Sequence, residues 1–594
     1  MRKIAFVAIA LLFTATASAV QAYKQWKTFT QSDGSTITLM LVGDEYSHYY
    51  VTEDGTKMRR LANGDFEQMG TEEITQAKTK RAAKLSNIKG KRKVNQAISQ
   101  SKTRNSSYSG TLKGLVIMMQ FTDKEFRDEY AFDDWNALLN ETGYSSTEVP
   151  GGTPSSGSVC DYFADQSDGN FSIEFDLYGP FTAENSYEYY GQNDEKDEDN
   201  IDINMCYLVA EACDAVKDQV DFSDYDWDGD GEVDQVFILY AGEGENVVGN
   251  SSDLIWPHEY WLQYYSAYRQ TGGYEVEDGI LINQYACGAE ILYNNMLSGL
   301  GTFCHEFSHC LGLPDFYTYE GTDTFGEFDI MDEGNYNGYG WCPPNYTAYE
   351  KAYCGWHTPT ELEEAATITD LETVANGGLS YLVRNDALDE TVDEYYLLEN
   401  RQQEGWDTEI PSEGLIITHY DYDEQAWASN VINDDADHPR AAIIPANNDV
   451  NTPKGFAYPY TKAILYGKWH GNDSLTNYSE PAAIVYNQPA KDLYSMAKAV
   501  TTSTTYYMSK PITDITDDDG KVGFVFMGGA ATGIRKVITD GDEDSLKSLY
   551  GEAVDIYDSS GKIRKHVDNF QGTGELQLPE GVYIIGGNKV YITN

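Results

Sequence analysis

The sequence predicts a multidomain α+β protein, a mixed α/β domain followed by β-sandwich modules. Its 594 residues, 41% of them hydrophobic, are enough for about three or four separately cored domains. Over 106–360, the apolar, β-branched run Leu115–Phe121 and a second strand-like run, Val236–Tyr240, alternate with helix-period patterns near 131–142, 203–217 and 300–311. Beyond 361 the rhythm changes to short β-rich runs separated by turn residues: Ala366–Leu371, Leu379–Val383, Tyr395–Glu399, Leu415–His419 and Val522–Met527. Regular short strands of this kind are the pattern of a β-sandwich.

The chain opens with Arg2 and Lys3, then an apolar run from Ile4 to Phe13, then small residues. Ala17-Ser18-Ala19 and Val20-Gln21-Ala22 both fit a small-x-small cleavage site, so residues 1–22 read as a signal peptide. The run is too short for a membrane span, and no later run is long and apolar enough to be a transmembrane segment. Residues 23–73 are mixed and strand-like. Charge then inverts: Thr75–Thr122 contains no Asp or Glu, and ten Lys or Arg fall between Lys78 and Arg104. A basic, poorly apolar stretch is solvated and open to trypsin-like cleavage, so 23–105 is expected to be a propeptide with a processing linker, cut by an activating protease. The competing reading is a basic arm that docks on the acidic remainder or on an anionic surface. No cysteine precedes Cys160, which excludes latency through a propeptide thiol. The net charge of −55 argues against nucleic-acid binding, which needs a basic face.

The most specific signal is His305-Glu306-Phe307-Ser308-His309-Cys310-Leu311-Gly312-Leu313-Pro314-Asp315. Residues four apart share one helix face, so His305 and His309 can offer two imidazoles to one ion. Glu306, one position along, can reach a water held by that ion. Gly312 permits a reversal after the helix, and Asp315 can then return as a hard oxygen ligand. Two His and one Asp leave a fourth position open, the arrangement of a catalytic Zn²⁺ site rather than a structural one. Leu300, Phe303, Phe307 and Leu311 form a separate apolar face.

A second acidic pattern, Asp226-Trp227-Asp228-Gly229-Asp230-Gly231-Glu232-Val233-Asp234, places oxygens at alternate positions, as a Ca²⁺ loop requires. The twelfth position, where a complete loop would have Glu, is Phe237, so Asp226, Asp228, Asp230 and Asp234 form at best a shortened calcium site, and a plain Asp/Gly turn is the alternative. The eight cysteines lie between Cys160 and Cys354. Their even number in an exported chain permits disulfides, with buried free thiols as the alternative; Cys304 and Cys310 fall on different helix faces and are not expected to pair.

HExxHxxGxxD resembles the motif of the immune inhibitor A family of secreted metallopeptidases. Phe328-Asp329-Ile330-Met331-Asp332 is similar to that family's Met-turn, with Met331 beneath the metal. Leu115–Phe121, Asp161-Tyr162-Phe163, Gly169-Asn170-Phe171, Gly179-Pro180, Ile255-Trp256-Pro257-His258, Tyr396–Gln402, Trp406-Asp407 and Gly414–Asp421 resemble further family blocks in order, and Asp44–Gly55 resembles its propeptide. The resemblance implies a zincin-like, metzincin-related catalytic domain at 106–360, a β-sandwich accessory domain at 361–530 and a secreted zinc endopeptidase acting on protein or peptide substrates, with Glu306 as general base towards a zinc-activated water. His258, Tyr336, Tyr339 and Tyr346 are conceivable donors to the developing oxyanion. Residues 531–594, with Val554–Lys562, Leu578–Ile585 and Lys589-Val590, resemble the C-terminal sorting domains of type IX secretion. The alternative is a catalytically idle surface protein whose β-modules bind glycans or host proteins.

Overall fold

A computed structural model of the chain describes residues 18–76, 79, 108–128, 131–145, 154–193, 202–248, 254–277, 279–293, 295–318, 324–435, 438–448, 464–467, 471–489, 506–529, 553–558, 563–567, 569–570, 581–585 and 588–592. The apolar run at 4–13 and nearly all of the basic stretch lie outside these residues.

The site is built on a mixed sheet. Its strands lie in the order Ser18–Ala19, His258–Trp261, Gln284–Tyr293, Val236–Glu243, Gly110–Gln120, Phe171–Thr182, with Met296–Leu297 paired beside Gln284–Tyr293. The four strands from Gln284–Tyr293 to Phe171–Thr182 are parallel to one another. His258–Trp261 is antiparallel to its inner neighbour, and Ser18–Ala19 is antiparallel to His258–Trp261.

The central strand shows why its sequence is apolar without interruption. Val116 and Met118 face one core, with Phe237, Leu239, Phe303 and Phe307, while Leu115, Ile117 and Met119 face another, with Leu208, Val209 and Ala212. A parallel sheet covered on both faces has no solvent side to favour polar alternation. The helices Ala131–Asn140, Val159–Gln166 and Gly301–Cys310 cover the first face, and Met205–Val216 covers the second. The helical patterns read at 131–142 and 203–217 correspond to two of these.

The β-rich runs read beyond 360 form two sheets. One has the order Thr360–Glu361, Tyr381–Arg384, Asp393–Arg401, Gly414–Tyr422, Ala441–Ile443; the other is Ala366–Leu371, Lys521–Phe526, Ile512–Asp518. Val383, Tyr396, Leu398 and Ile417 from the first share a core with Ile512, Val522, Phe524 and Phe526 from the second. The opposite face of the first sheet, through Tyr395, Leu397, Ile416 and Tyr420, packs into the same core as the helix Gly301–Cys310. The apolar interior is therefore continuous across residue 360. Near the C-terminus, Val554–Asp558, Ile563–Val567, Gly581–Ile585 and Asn588–Ile592 form a four-stranded antiparallel sheet.

Residues 27–68 make a separate antiparallel sheet of five strands. Leu39, Leu41, Tyr50, Met58 and Phe66 bury against Trp256, just before the edge strand of the large sheet. His48 stacks on the Trp256 indole, with ring centroids 4.9 Å apart. All eight cysteines are free thiols, seven of them buried, so the thiol alternative describes this chain.

The helix Gly301–Cys310 is fixed chiefly by aromatic packing. Phe303 stacks on Phe237 at 4.0 Å and meets Phe175 edge-on at 5.1 Å; Phe307 packs against Phe163 at 4.7 Å. Phe303→Ala is expected to cost about 3–5 kcal/mol of unfolding free energy, since the vacated volume lies between two rigid elements. Urea denaturation of the metal-free chain measures this; a loss under about 1 kcal/mol would show that the helix is anchored elsewhere.

Candidate metal centre and active-site cleft

Every residue of Gly301–Cys310 is buried, so its polar side chains have to be satisfied inside the protein. His305 Nδ1 lies 2.6 Å from the Ile330 carbonyl oxygen, and His309 Nδ1 lies 2.7 Å from that of Leu313. A carbonyl can only accept, so both Nδ1 atoms carry the proton and donate, and each Nε2 presents a lone pair. Gly312 adopts φ +89°, and its amide donates to the His309 carbonyl at 2.8 Å. That left-handed residue reverses the chain and brings Asp315 back to the helix.

The two Nε2 atoms are 3.2 Å apart, and Asp315 Oδ1 lies 3.2 Å from one and 3.3 Å from the other. Three lone-pair atoms thus face one another in a nearly equilateral triangle. With both imidazole protons committed elsewhere, mutual hydrogen bonding is not available to them. A cation relieves the repulsion, and a tetrahedral ion with bonds of about 2.0–2.1 Å has ligand edges of about 3.3–3.4 Å. The triangle fits Zn²⁺. Only if the two imidazoles were protonated in place of a bound cation would their charge outweigh burial, which favours the neutral acid, and hold the Asp315 carboxyl below the ordinary range.

Glu306 is buried, and its Oε1 accepts a hydrogen bond from the backbone amide of Val20 at 3.1 Å. Burial, reinforced by the Asp315 charge, pushes its carboxyl well above the usual range. The segment Phe328–Asp332 lies against the same helix. Asp329 Oδ1 accepts from the Met331 amide at 2.7 Å, and the Met331 carbonyl accepts from the Phe316 amide at 2.9 Å. Met331 is fully buried, and the carbonyl before it is the one that orients His305.

Nothing in the residue pattern marks the short strand that runs beside this site. Ser18–Ala19 extends the sheet edge, with Ser18 opposite Glu259 and Ala19 opposite His258. The Val20 carbonyl accepts from Trp256 Nε1 at 2.7 Å, and the Gln21 carbonyl accepts from the Tyr336 hydroxyl at 2.5 Å. Gln21 Nε2 donates to Asp332 at 2.9 Å, Tyr23 packs on the Tyr336 ring at 5.0 Å, and Lys24 pairs with Glu333. Residues 18–24 thus run past the metal triangle along the sheet edge, with the Val20 amide on Glu306.

Of the four conceivable oxyanion donors, Tyr336 touches this peptide, though at a carbonyl beyond the bond that faces Glu306. His258 is engaged behind the edge strand, with Nδ1 at 2.7 Å from the Trp256 carbonyl and Nε2 at 2.8 Å from the Tyr285 hydroxyl. Tyr346 is buried with its hydroxyl on Ser308, and Tyr339 is exposed. In the acidic loop, Asp226, Asp228 and Asp234 bring ligand atoms within 4.8 Å of one another, and Asp230 lies outside that group. Asp226 also accepts from the amides of Gly229, Asp230 and Gly231, which is what an Asp/Gly turn requires.

Residues 109–358 match the family described as immune inhibitor A peptidase M6, catalytic domain. The match supports a metallopeptidase. Two curated relatives, the Pre-pro-metalloprotease PrtV of Vibrio cholerae serotype O1 strain M66-2 and of strain ATCC 39315 / El Tor Inaba N16961, are each 27% identical over 270 residues. The aligned part covers 38% of this chain and 28% of each relative, so the chain spans under a third of the length of the curated relatives it matches. Among the described residues no helix is long and apolar enough to cross a membrane.

The wild-type chain is expected to hold one tightly bound zinc in equilibrium dialysis, and His305→Ala or His309→Ala to hold none at the same free metal concentration. Stoichiometric zinc in either variant would contradict the ligand set.

Proposed function

We propose that the chain is an exported zinc-dependent endopeptidase made in a latent form. The triangle of His305, His309 and Asp315 lone pairs carries the reading, with Glu306 on the same helix facing a backbone amide. A zinc ion bound there supplies Lewis acidity, acidifying water and polarising a peptide carbonyl. The His305 and His309 rings are held in the ligating tautomer by the Ile330 and Leu313 carbonyls, which fixes the direction of both lone pairs. Glu306 takes a proton from the attacking water and hands it to the leaving amine; the 3.1 Å approach of a backbone nitrogen to its Oε1 supports the second role. Tyr336 binds a substrate carbonyl on the leaving-group side, and the edge strand His258–Trp261 pairs with substrate on the other side, as it does with Ser18–Ala19.

Residues 18–24 then act as an inhibitory strap. In the uncleaved chain Ser18–Ala19 runs antiparallel to the edge strand, as substrate would; after cleavage at Ala19 the strap is held by the contacts of Val20, Gln21, Tyr23 and Lys24. Signal-peptide cleavage after Ala19 would turn the Val20 amide into an α-ammonium beside Glu306, a positive charge that would favour the ionised carboxylate there against its burial. Cleavage in the basic stretch by an activating protease frees the cleft. Asp226, Asp228 and Asp234 are proposed to bind Ca²⁺ and hold the turn that leads into Val236–Glu243. The C-terminal sheet at 554–592 is proposed as an export signal on its resemblance to sorting domains.

Casein hydrolysis is expected from chain processed beyond residue 105, and is expected to be lost on chelation and restored by zinc. Glu306→Gln is expected to retain zinc and lose activity by about two to four orders of magnitude. A Glu306→Gln chain that cleaves casein at the wild-type rate would defeat the mechanism. Tyr336→Phe is expected to raise KM about two- to tenfold, the worth of one hydrogen bond, with kcat within about twofold of wild type. A large fall in kcat alone would instead assign Tyr336 to the oxyanion. Chain that begins at Val20 is expected to be inactive until cut, and full activity with that end intact would remove the strap from the account.

A further inference from the structure

Asp315 has a partner far away in sequence. Asn430 Oδ1 accepts from the Asp315 amide at 2.7 Å, and Asn430 Nδ2 donates to Asp315 Oδ2 at 2.5 Å. One carboxamide thus grips both the backbone and the side chain of the same residue. Oδ1, the other carboxylate oxygen, is buried, accepts no hydrogen bond and faces the two imidazoles. We propose that Asn430, supplied by the β-rich region beyond 360, is a positioning residue of the metal centre that withholds Asp315 Oδ2 and so makes Asp315 a one-oxygen ligand. The proposal rests on the reading of His305, His309 and Asp315 as a zinc site.

The chemistry of the contact suits that role. An unrestrained carboxylate can close on a cation with both oxygens and consume a further coordination position. A neutral amide donor occupies Oδ2 without cancelling the negative charge that makes Oδ1 a good ligand; a lysine there would neutralise it. Partners of this kind orient ligands, and their loss costs about 10- to 100-fold in metal affinity in well-characterised sites.

The loop carrying Asn430 is held firmly. Asp423 caps the short helix Glu424–Ala428, and the buried Trp427 on that helix donates through Nε1 to the Tyr349 hydroxyl at 2.6 Å. The Asn430 amide donates to the Trp427 carbonyl at 3.2 Å. Asn433 Nδ2 donates to the Phe316 carbonyl at 2.6 Å, next to the ligand. Asn430 itself has φ +48°, a conformation that Asn tolerates better than most side chains. The family match ends at residue 358, so this part of the centre comes from outside the matched region.

The test uses the full chain with Asn430→Gly, which accepts the positive φ and deletes the amide, and Asn430→Asp, which keeps the shape and replaces the donor with a second carboxylate. Asn433→Ala serves as a control for loosening the same loop. Zinc affinity is measured by chelator competition, and coordination by the visible absorption of the Co²⁺-loaded protein. Both Asn430 variants are expected to bind zinc about 10- to 100-fold more weakly, and Asn430→Gly to show a weakened Co²⁺ band as Asp315 chelates through both oxygens. Asn433→Ala is expected to keep the wild-type band. Wild-type affinity and spectrum in Asn430→Gly, or the same spectral change in Asn433→Ala, would overturn the proposal while leaving the zinc site standing. A wild-type chain that binds neither metal would overturn the site itself.

Discussion

The structure turns on the enforced proximity of three lone pairs. Two imidazoles with their protons committed to backbone carbonyls, and one carboxylate oxygen with no donor, are held about as far apart as the edges of a tetrahedron around Zn²⁺. Such an arrangement is repulsive without a cation, and the fold supplies the opposing force. Phe303 and Phe307 press the helix onto the sheet, Gly312 turns the chain, Ile330 and Leu313 present the two carbonyls, and the Met331 carbonyl holds the Phe316 amide next to Asp315. The same burial makes the triangle costly without a cation, because no side chain can relax into solvent.

The cleft beside the triangle is shaped by the edge of the large sheet. An exposed edge offers unpaired amides and carbonyls, and here Ser18–Ala19 pairs with it. The sheet formed by residues 27–68 acts as an anchor for this strap through Trp256, which both stacks on His48 and donates to the Val20 carbonyl. One indole therefore links the packing of the N-terminal sheet to occupancy of the cleft. On the proposed reading, substrate would compete with the strap for the same main-chain groups, a physical basis for latency without a thiol.

Legibility in the sequence followed locality. The spacing of His305, Glu306, His309, Gly312 and Asp315 encodes helix, face and turn within one short segment, and it was readable because each inference spans only a few residues. The strand at 115–121, the helices near 131–142 and 203–217 and the β-runs beyond 360 were readable for the same reason. Val20 and Asn430 were not. Their partners lie hundreds of residues away in one case and over a hundred in the other, and neither sits in a periodic pattern that marks it. Val20 lies in a stretch whose composition speaks only of signal-peptide cleavage, and Asn430 follows a helix of little more than one turn. In the Asp226–Asp234 loop, alternation suggested four carboxylates, and the fold gathers the ligand atoms of Asp226, Asp228 and Asp234, with Asp230 outside that group. The boundary at 360, drawn where periodicity changes, crosses a core that the folded chain shares.

The measurement that bears most directly on this account is X-ray absorption at the zinc edge on the purified, metal-loaded chain. The expected spectrum shows nitrogen and oxygen neighbours only, two imidazoles and one carboxylate oxygen at about 2.0–2.1 Å, with low coordination number. A shell containing sulfur from any of the buried cysteines, a single imidazole, or a six-coordinate oxygen shell would contradict it.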